Sequence, residues 1–213
     1  MVSGMTPTPA PVLSRRGTGF ATWCLLVVAV VALGVAVAAP LVQLAGNGGT
    51  VPVTLTDPDA VRDLDLAGLP AGTEAHLDTG SAHLYVESLP AGLRLLTAAG
   101  TSAAALAVAA GAWLLFLVLR SVRSGRPFDR RNPGRLVGVA TAVVLGGVLA
   151  PALDTGVAAV VLGRVGLTDP GSPLSLVFLE ISFAPLLLAA IVLAAAEAFR
   201  RGAALADDAD GLV

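Results

Sequence analysis

"RSVRSGRPFDRRNPGR", residues 120–135, carries six of the chain's 13 basic residues and is flanked by two long apolar runs. Those runs, Leu93–Leu119 and Leu136–Leu162, each exceed the ~20 apolar residues needed to cross a hydrocarbon core. Moving outward, Phe20–Ala45 and Leu174–Phe199 meet the same criterion. Lipid offers the backbone no hydrogen-bond partner, so a single spanning segment has to be a helix. The sequence therefore predicts an all-α transmembrane fold: a four-helix membrane bundle, with a small β-rich extracytoplasmic insertion between the first and second helices.

Composition agrees with this. Of 213 residues, 55% are hydrophobic and 13% charged, with a mean hydropathy of +0.83; a soluble domain is about 25% charged. The single cysteine, Cys24, excludes an intramolecular disulfide and any metal site of the paired-cysteine kind. It lies at the start of the first apolar run, where a lipoprotein cysteine would lie at the end, so it reads as a packed or lipid-facing thiol.

Arginine placement sets the orientation. Arg15 and Arg16, the six arginines of 120–135, and Arg200 with Arg201 fall on one side; Arg62, Arg94 and Arg164 fall on the other. Both termini and the Arg-rich loop are thus expected to be cytoplasmic. The expected order is a tail over 1–19, spans at 20–45, 93–119, 136–162 and 174–199, and an outer segment at 46–92. An inner loop at 120–135, a short outer loop at 163–173 and an acidic tail at 200–213 complete it. Phe20, Trp23, Trp113 and Phe116 form the expected aromatic belt at the inner headgroups.

"SRRGTGF", Ser14–Phe20, is close to a twin-arginine export signal, and "AVAAP", Ala36–Pro40, offers a cleavage pattern. Signal h-regions run to about 7–15 residues, whereas this apolar run continues past Pro40 and Thr18 replaces the signal's phenylalanine. We read it as an uncleaved first span.

In the outer segment, Val51, Val53 and Leu55 alternate with Pro52 and Thr54, the period of a strand. "AHLYVES", Ala82–Ser88, follows the turn-prone "DTGS" as the other half of a hairpin. The triplet Asp78-Thr79-Gly80 lacks the hydrophobic frame of an aspartic-protease pair and reads as a turn. His76, Asp78 and His83 lack the regular spacing of a zinc motif, and Asp57–Asp65 lacks the glycine-centred spacing of a calcium loop. No metal, cofactor or catalytic constellation is expected.

Two carboxylates fall inside apolar runs, where charge is expensive and functional by default. Asp154 continues a small-residue stripe of Gly138, Ala142, Gly146 and Ala150, so it is expected to point toward another helix. Glu180 lies at a similar depth in the fourth run. One reading makes Asp154 and Glu180 a proton or cation site; the reading we favour clasps them to Arg94 or Arg164 at the same outer level.

In the inner loop, Asn132 and Pro133 read as N-cap and first-turn proline of the third span. Arg126, Arg130 and Arg131 are placed to meet anionic lipid, with Phe128 among them in the headgroup layer. Gly125, Pro127, Phe128, Asn132 and Leu136 here, with Phe199, Gly202, Leu205, Asp208 and Val213 at the C-terminus, resemble domain of unknown function family 2975. That resemblance implies a four-helix bacterial membrane protein with no established activity, and many members are encoded beside a small helix-turn-helix regulator. By this analogy the loop and the acidic tail, Asp207, Asp208 and Asp210, dock such a regulator, with no direct nucleic-acid contact; the competing reading is a disordered polar tail.

The functional expectation is a non-enzymatic sensory or regulatory protein of the bacterial plasma membrane, with lipid and a cytosolic regulator as partners. The alternative is a small ion-coupled transporter using the intramembrane carboxylates. Against an enzyme, the sequence offers no nucleophile–base pairing, metal spacing or phosphate loop.

Overall fold

Alternation between unbroken apolar runs and short polar breaks produces a mostly helical chain. The computed structural model describes residues 15–46, 48–55, 73–78, 81–87, 89–165, 174–175 and 182–210. Helix α1 spans Arg15–Ala45, followed by strands β1 (Gly48–Leu55), β2 (Thr73–Asp78) and β3 (Ser81–Glu87). Then come α2 (Ala91–Thr97), α3 (Ala99–Arg123), α4 (Asn132–Val144), a π-helical turn (Leu145–Leu149) and α5 (Ala150–Val165). A two-residue strand β4 (Leu174–Ser175) and the long α6 (Ala184–Asp210) close the order.

Among the described residues, three helical stretches are long and apolar enough to cross a membrane: Gly19–Ala45, Ala99–Arg123 and Asn132–Arg164. Many of their large side chains face outward, while Val118, Leu136, Val161 and Leu162 are buried between helices. On α1, Val30, Val31, Leu33, Val37, Leu41 and Val42 are exposed, whereas Ala29, Ala32 and Ala36 are buried. Intervals of three and four put those alanines on one face, and that edge packs along α3, whose own buried residues include Ala105, Ala109 and Ala112. Lipid leaves no hydrophobic gain from burying leucine, so close contact of small residues does the joining. An unbroken apolar exterior of this kind would aggregate in water and belongs in a bilayer.

The helices form a row. α1 packs on α3, α3 on α4, and α4 on α6, with α5 also against α3. The small-residue stripe read from the sequence makes the α3 contact: Gly138 lies beside Leu114, Ala142 beside Gly111, and Gly146 beside Ala107. At the loop end, Val118, Leu136 and Ala196 from α3, α4 and α6 form a buried cluster, with Leu115, Val192 and Phe199 against it.

Pro151 has no N–H to continue the helical ladder, and the chain adjusts one turn earlier. Ala150 N–H reaches back to the Leu145 carbonyl, five residues away, the wider spacing of a π-bulge. There Gly147 meets Pro185 of α6 so closely that a Cβ would fall within the proline ring.

The sheet order is β2-β3-β1-β4, all pairs antiparallel. β4 corrects one expectation. Leu174 and Ser175 do not open the fourth helix; they pair with Leu55 and Thr54 on the free edge of β1. An apolar run cannot by itself distinguish a strand from a buried helix, and β1 has an open row of backbone groups to satisfy. The helix begins at Ala184 instead, and its described apolar stretch, 184–196, is shorter than the ~20 residues of a full span. The second expected span is likewise divided, α2 ending at Thr97 and α3 starting at Ala99.

The Gly147–Pro185 contact is testable. Gly147→Val should lower the unfolding midpoint in detergent by overpacking, at about 1–3 kcal/mol. Gly156→Val, where nothing lies within 4 Å of the added Cβ, should leave the midpoint unchanged.

Candidate functional site

The two stretches that carry the family resemblance meet. α3 ends in a Schellman turn: Gly125 N–H bonds the Val122 carbonyl at 3.1 Å and Arg126 N–H bonds the Ser121 carbonyl at 3.1 Å. Gly125 has φ 77°, a left-handed conformation that a side chain disfavours. The turn sends Phe128 toward α6, where its ring lies 6.1 Å from that of Phe199, tilted by 51°. It also covers Gly202 so closely that a Cβ there would overlap the ring.

Asn132 is fully buried beneath this loop. Its Nδ2 donates to Ser121 Oγ at 2.6 Å and to the Pro127 carbonyl at 3.0 Å, and its Oδ1 accepts from Arg135 Nη1 at 2.9 Å. Ser121 in turn donates to the Val118 carbonyl at 3.0 Å. The expected N-cap role is thereby corrected. Arg131 occupies the cap position with no side-chain bond, Pro133 lies in the first turn as expected, and the Asn132 amide turns inward to join α3 to α4. Asp129 helps open the helix, its Oδ1 accepting from Arg131 N–H at 2.9 Å.

Arg126, Arg130 and Arg131 are exposed around this junction, and Phe128 is 48% exposed. On α6, Glu197 binds Arg200 and Arg201 at 2.7 and 2.8 Å. The helix continues through Asp207 and Asp208 to Asp210, so the acidic tail carries helical backbone where the sequence left a disordered tail open. The side chains of those three aspartates lie outside the described residues.

The intramembrane candidates have other partners than expected. Asp154, on α5, lies against the backbone of Gly100, where a Gly100 side chain would be, beside the free N–H groups in the first turn of α3. Arg94, on α2, donates through Nη1 to the Gly46 carbonyl just past the end of α1, while its Nε is buried without a partner. Arg164 is exposed, and Glu180 lies outside the described residues. In place of the expected clasp, Asp154 meets Gly100 at the start of α3 and Arg94 bonds the Gly46 carbonyl.

In the sheet, His76 is opposite His83 in register, with Glu74 opposite Tyr85 and Asp78 opposite Ser81. Among the described side chains, no group of three His, Cys, Asp or Glu is gathered as a metal site. Thr79 and Gly80 of the DTG triplet, and the acidic run 57–65, lie outside the described residues.

The family of proteins of unknown function designated DUF2975 matches residues 73–213. The chain belongs to this family. The match takes in β2, β3 and every helix from α2 to α6, and begins after α1 and β1. Neither a curated protein nor a solved structure matches the chain. Apolar helices and family membership together identify a membrane protein of the DUF2975 family.

Ser121, Arg135 and Gly202 were not singled out by their chemistry in the sequence. Ser121 and Asn132 are small polar residues bordering apolar runs, and burial of such groups requires a partner; that was the available signal.

Two predictions follow from these contacts. Asp154→Asn keeps an acceptor for Gly100 and should preserve stability in detergent, whereas Asp154→Leu should lose about 1 kcal/mol, the worth of a helix cap. Equal damage from both would show that the charge matters. Gly202→Val should cost about 1–3 kcal/mol in the native background and much less with Phe128→Ala. Such non-additivity, measured by thermal unfolding, marks a direct contact.

Proposed function

We propose that this DUF2975 protein is a non-enzymatic regulatory or sensory protein of the bacterial plasma membrane, spanning it four times with both termini in the cytoplasm. In this reading the β-rich segment lies outside. The loop and the α6 tail together receive a small cytosolic helix-turn-helix regulator, with no contact of their own to nucleic acid. The observation that supports it is the junction itself: Phe128 of the loop rests on Phe199 and Gly202 of α6. A basic loop and a helix ending in three aspartates are thereby held as one surface. An acidic tail can compete with DNA for the basic face of a regulator.

A second reading, a small ion-coupled transporter, draws on Asp154 as an intramembrane carboxylate. The contact of Asp154 with Gly100 favours a structural role for that acid.

The test is affinity capture from native membranes through a C-terminal tag on a flexible linker, with the full chain and with residues 207–213 removed. A small DNA-binding protein should co-purify with the full chain and be lost on truncation; recovery of none in either sample overturns the partner. In a Cys24→Ser background, Ser124→Cys should react with an impermeant maleimide only after the membrane is opened. Thr168→Cys should react in intact cells, and the reverse pattern overturns the orientation.

A further inference from the structure

Between α1 and α3, at the end of the row that carries the Arg-rich loop, is a cleft of about 270 Å³ lined by Thr22, Trp23, Leu26, Phe116, Arg120 and Arg123. Its chemistry is divided by depth. Leu26, Trp23 and Phe116 supply an apolar wall, and Phe116 is stiffened by stacking on Trp113 at a centroid distance of 5.3 Å. Arg120 and Arg123 supply two cations at the rim, both exposed and both in the last turn of α3.

Among the described residues no acid lines the cleft, and the ion pairs there use Glu197 with Arg200 and Arg201 rather than Arg120 or Arg123. The end of α3 carries a partial negative charge of about half a unit, which the two guanidinium groups outweigh. Arg123 also leans toward α1, its Nη2 4.0 Å from the Cβ position of Gly19, which brings it near the positive end of that helix. Paired guanidinium groups suit phosphate oxygens, for which their planar donors are shaped. An apolar wall directly below a cationic rim suits a molecule with a phosphate at one end and hydrocarbon at the other.

We infer that this cleft is a binding site for one anionic phospholipid, its phosphate held by Arg120 and Arg123 and its first acyl carbons lying against Leu26 and Phe116. The site rests on the membrane reading of the chain and is independent of any protein partner. It also differs from diffuse attraction of the loop arginines to the bilayer, because a shaped wall accompanies the charge.

Native mass spectrometry of the full chain, released from mixed phosphatidylglycerol–phosphatidylcholine nanodiscs, tests it. One phosphatidylglycerol should remain per chain in preference to phosphatidylcholine. R120Q/R123Q should reduce that retention ~30-fold, the effect of two surface arginines on an anionic lipid, while R130Q/R131Q should leave it unchanged. L26W, which fills the wall without altering charge, should also abolish retention and serves if the double variant does not fold. Equal retention of the two lipids, equal loss from both arginine pairs, or retention unchanged in L26W overturns the site. Millimolar inorganic phosphate that binds in place of the lipid and is itself lost in R120Q/R123Q would assign the cleft to free phosphate and overturn the lipid. None of these outcomes depends on capture of a cytosolic protein, so failure here and failure of the regulatory reading remain distinct.

Discussion

A wholly buried amide such as that of Asn132 has to find protein partners for its N–H groups and its carbonyl, since an unmet polar group at such a site costs about 1–3 kcal/mol. Ser121, the Pro127 carbonyl and Arg135 are those partners, and they come from α3, the loop and α4. The bond network therefore fixes the angle at which α4 returns along α3. Once that return is fixed, Leu136 reaches Val118, and α6 closes over both through Ala196. Removal of the amide would free the loop that holds Phe128 as well as the hairpin beneath it.

Farther along the same hairpin, contact depends on the absence of side chains. Gly146 and Gly147 let α3 and α6 approach the π-helical turn, and Gly100 admits the Asp154 carboxylate to the start of α3. This last contact explains why an acid is tolerated within an apolar run. A helix N-terminus presents free N–H groups and a partial positive charge, so the acid and the helix end meet each other's unsatisfied hydrogen bonding. Arg94 does the converse at the end of α1, where carbonyls are free. Polar groups in these runs are thus matched to helix ends before they are matched to each other.

That preference marks the limit of what the sequence made legible. Apolar length predicted three helices long enough to span, and the four-residue stripe identified the face of α4 that meets α3. Asp154 was read as pointing toward another helix, and it lies against Gly100 of α3. Its partner was not readable, because a backbone N–H leaves no mark in composition, whereas Arg94 and Arg164 do. Asn132 was assigned to capping on local pattern, and a bond to Ser121, eleven residues earlier, outweighed that pattern. Leu174 and Ser175 were counted in a helix because hydrophobicity alone does not reveal that a strand edge lies waiting.

The junction of loop and tail was not readable from either stretch alone, yet each carries half of its shape. Phe128 needs a space, and Gly202 is that space; Gly125 aims the ring, and Phe199 meets it. Glu197 and the two arginines after it lie on the same helix, which runs unbroken from Pro185, against Gly147, to Asp210. One helix therefore touches Phe128 near its acidic end and the π-helical turn, where α4 passes into α5, near its start. The tail is in this sense the continuation of the helix that packs on α4, and the loop grips that helix where its apolar stretch gives way to charge.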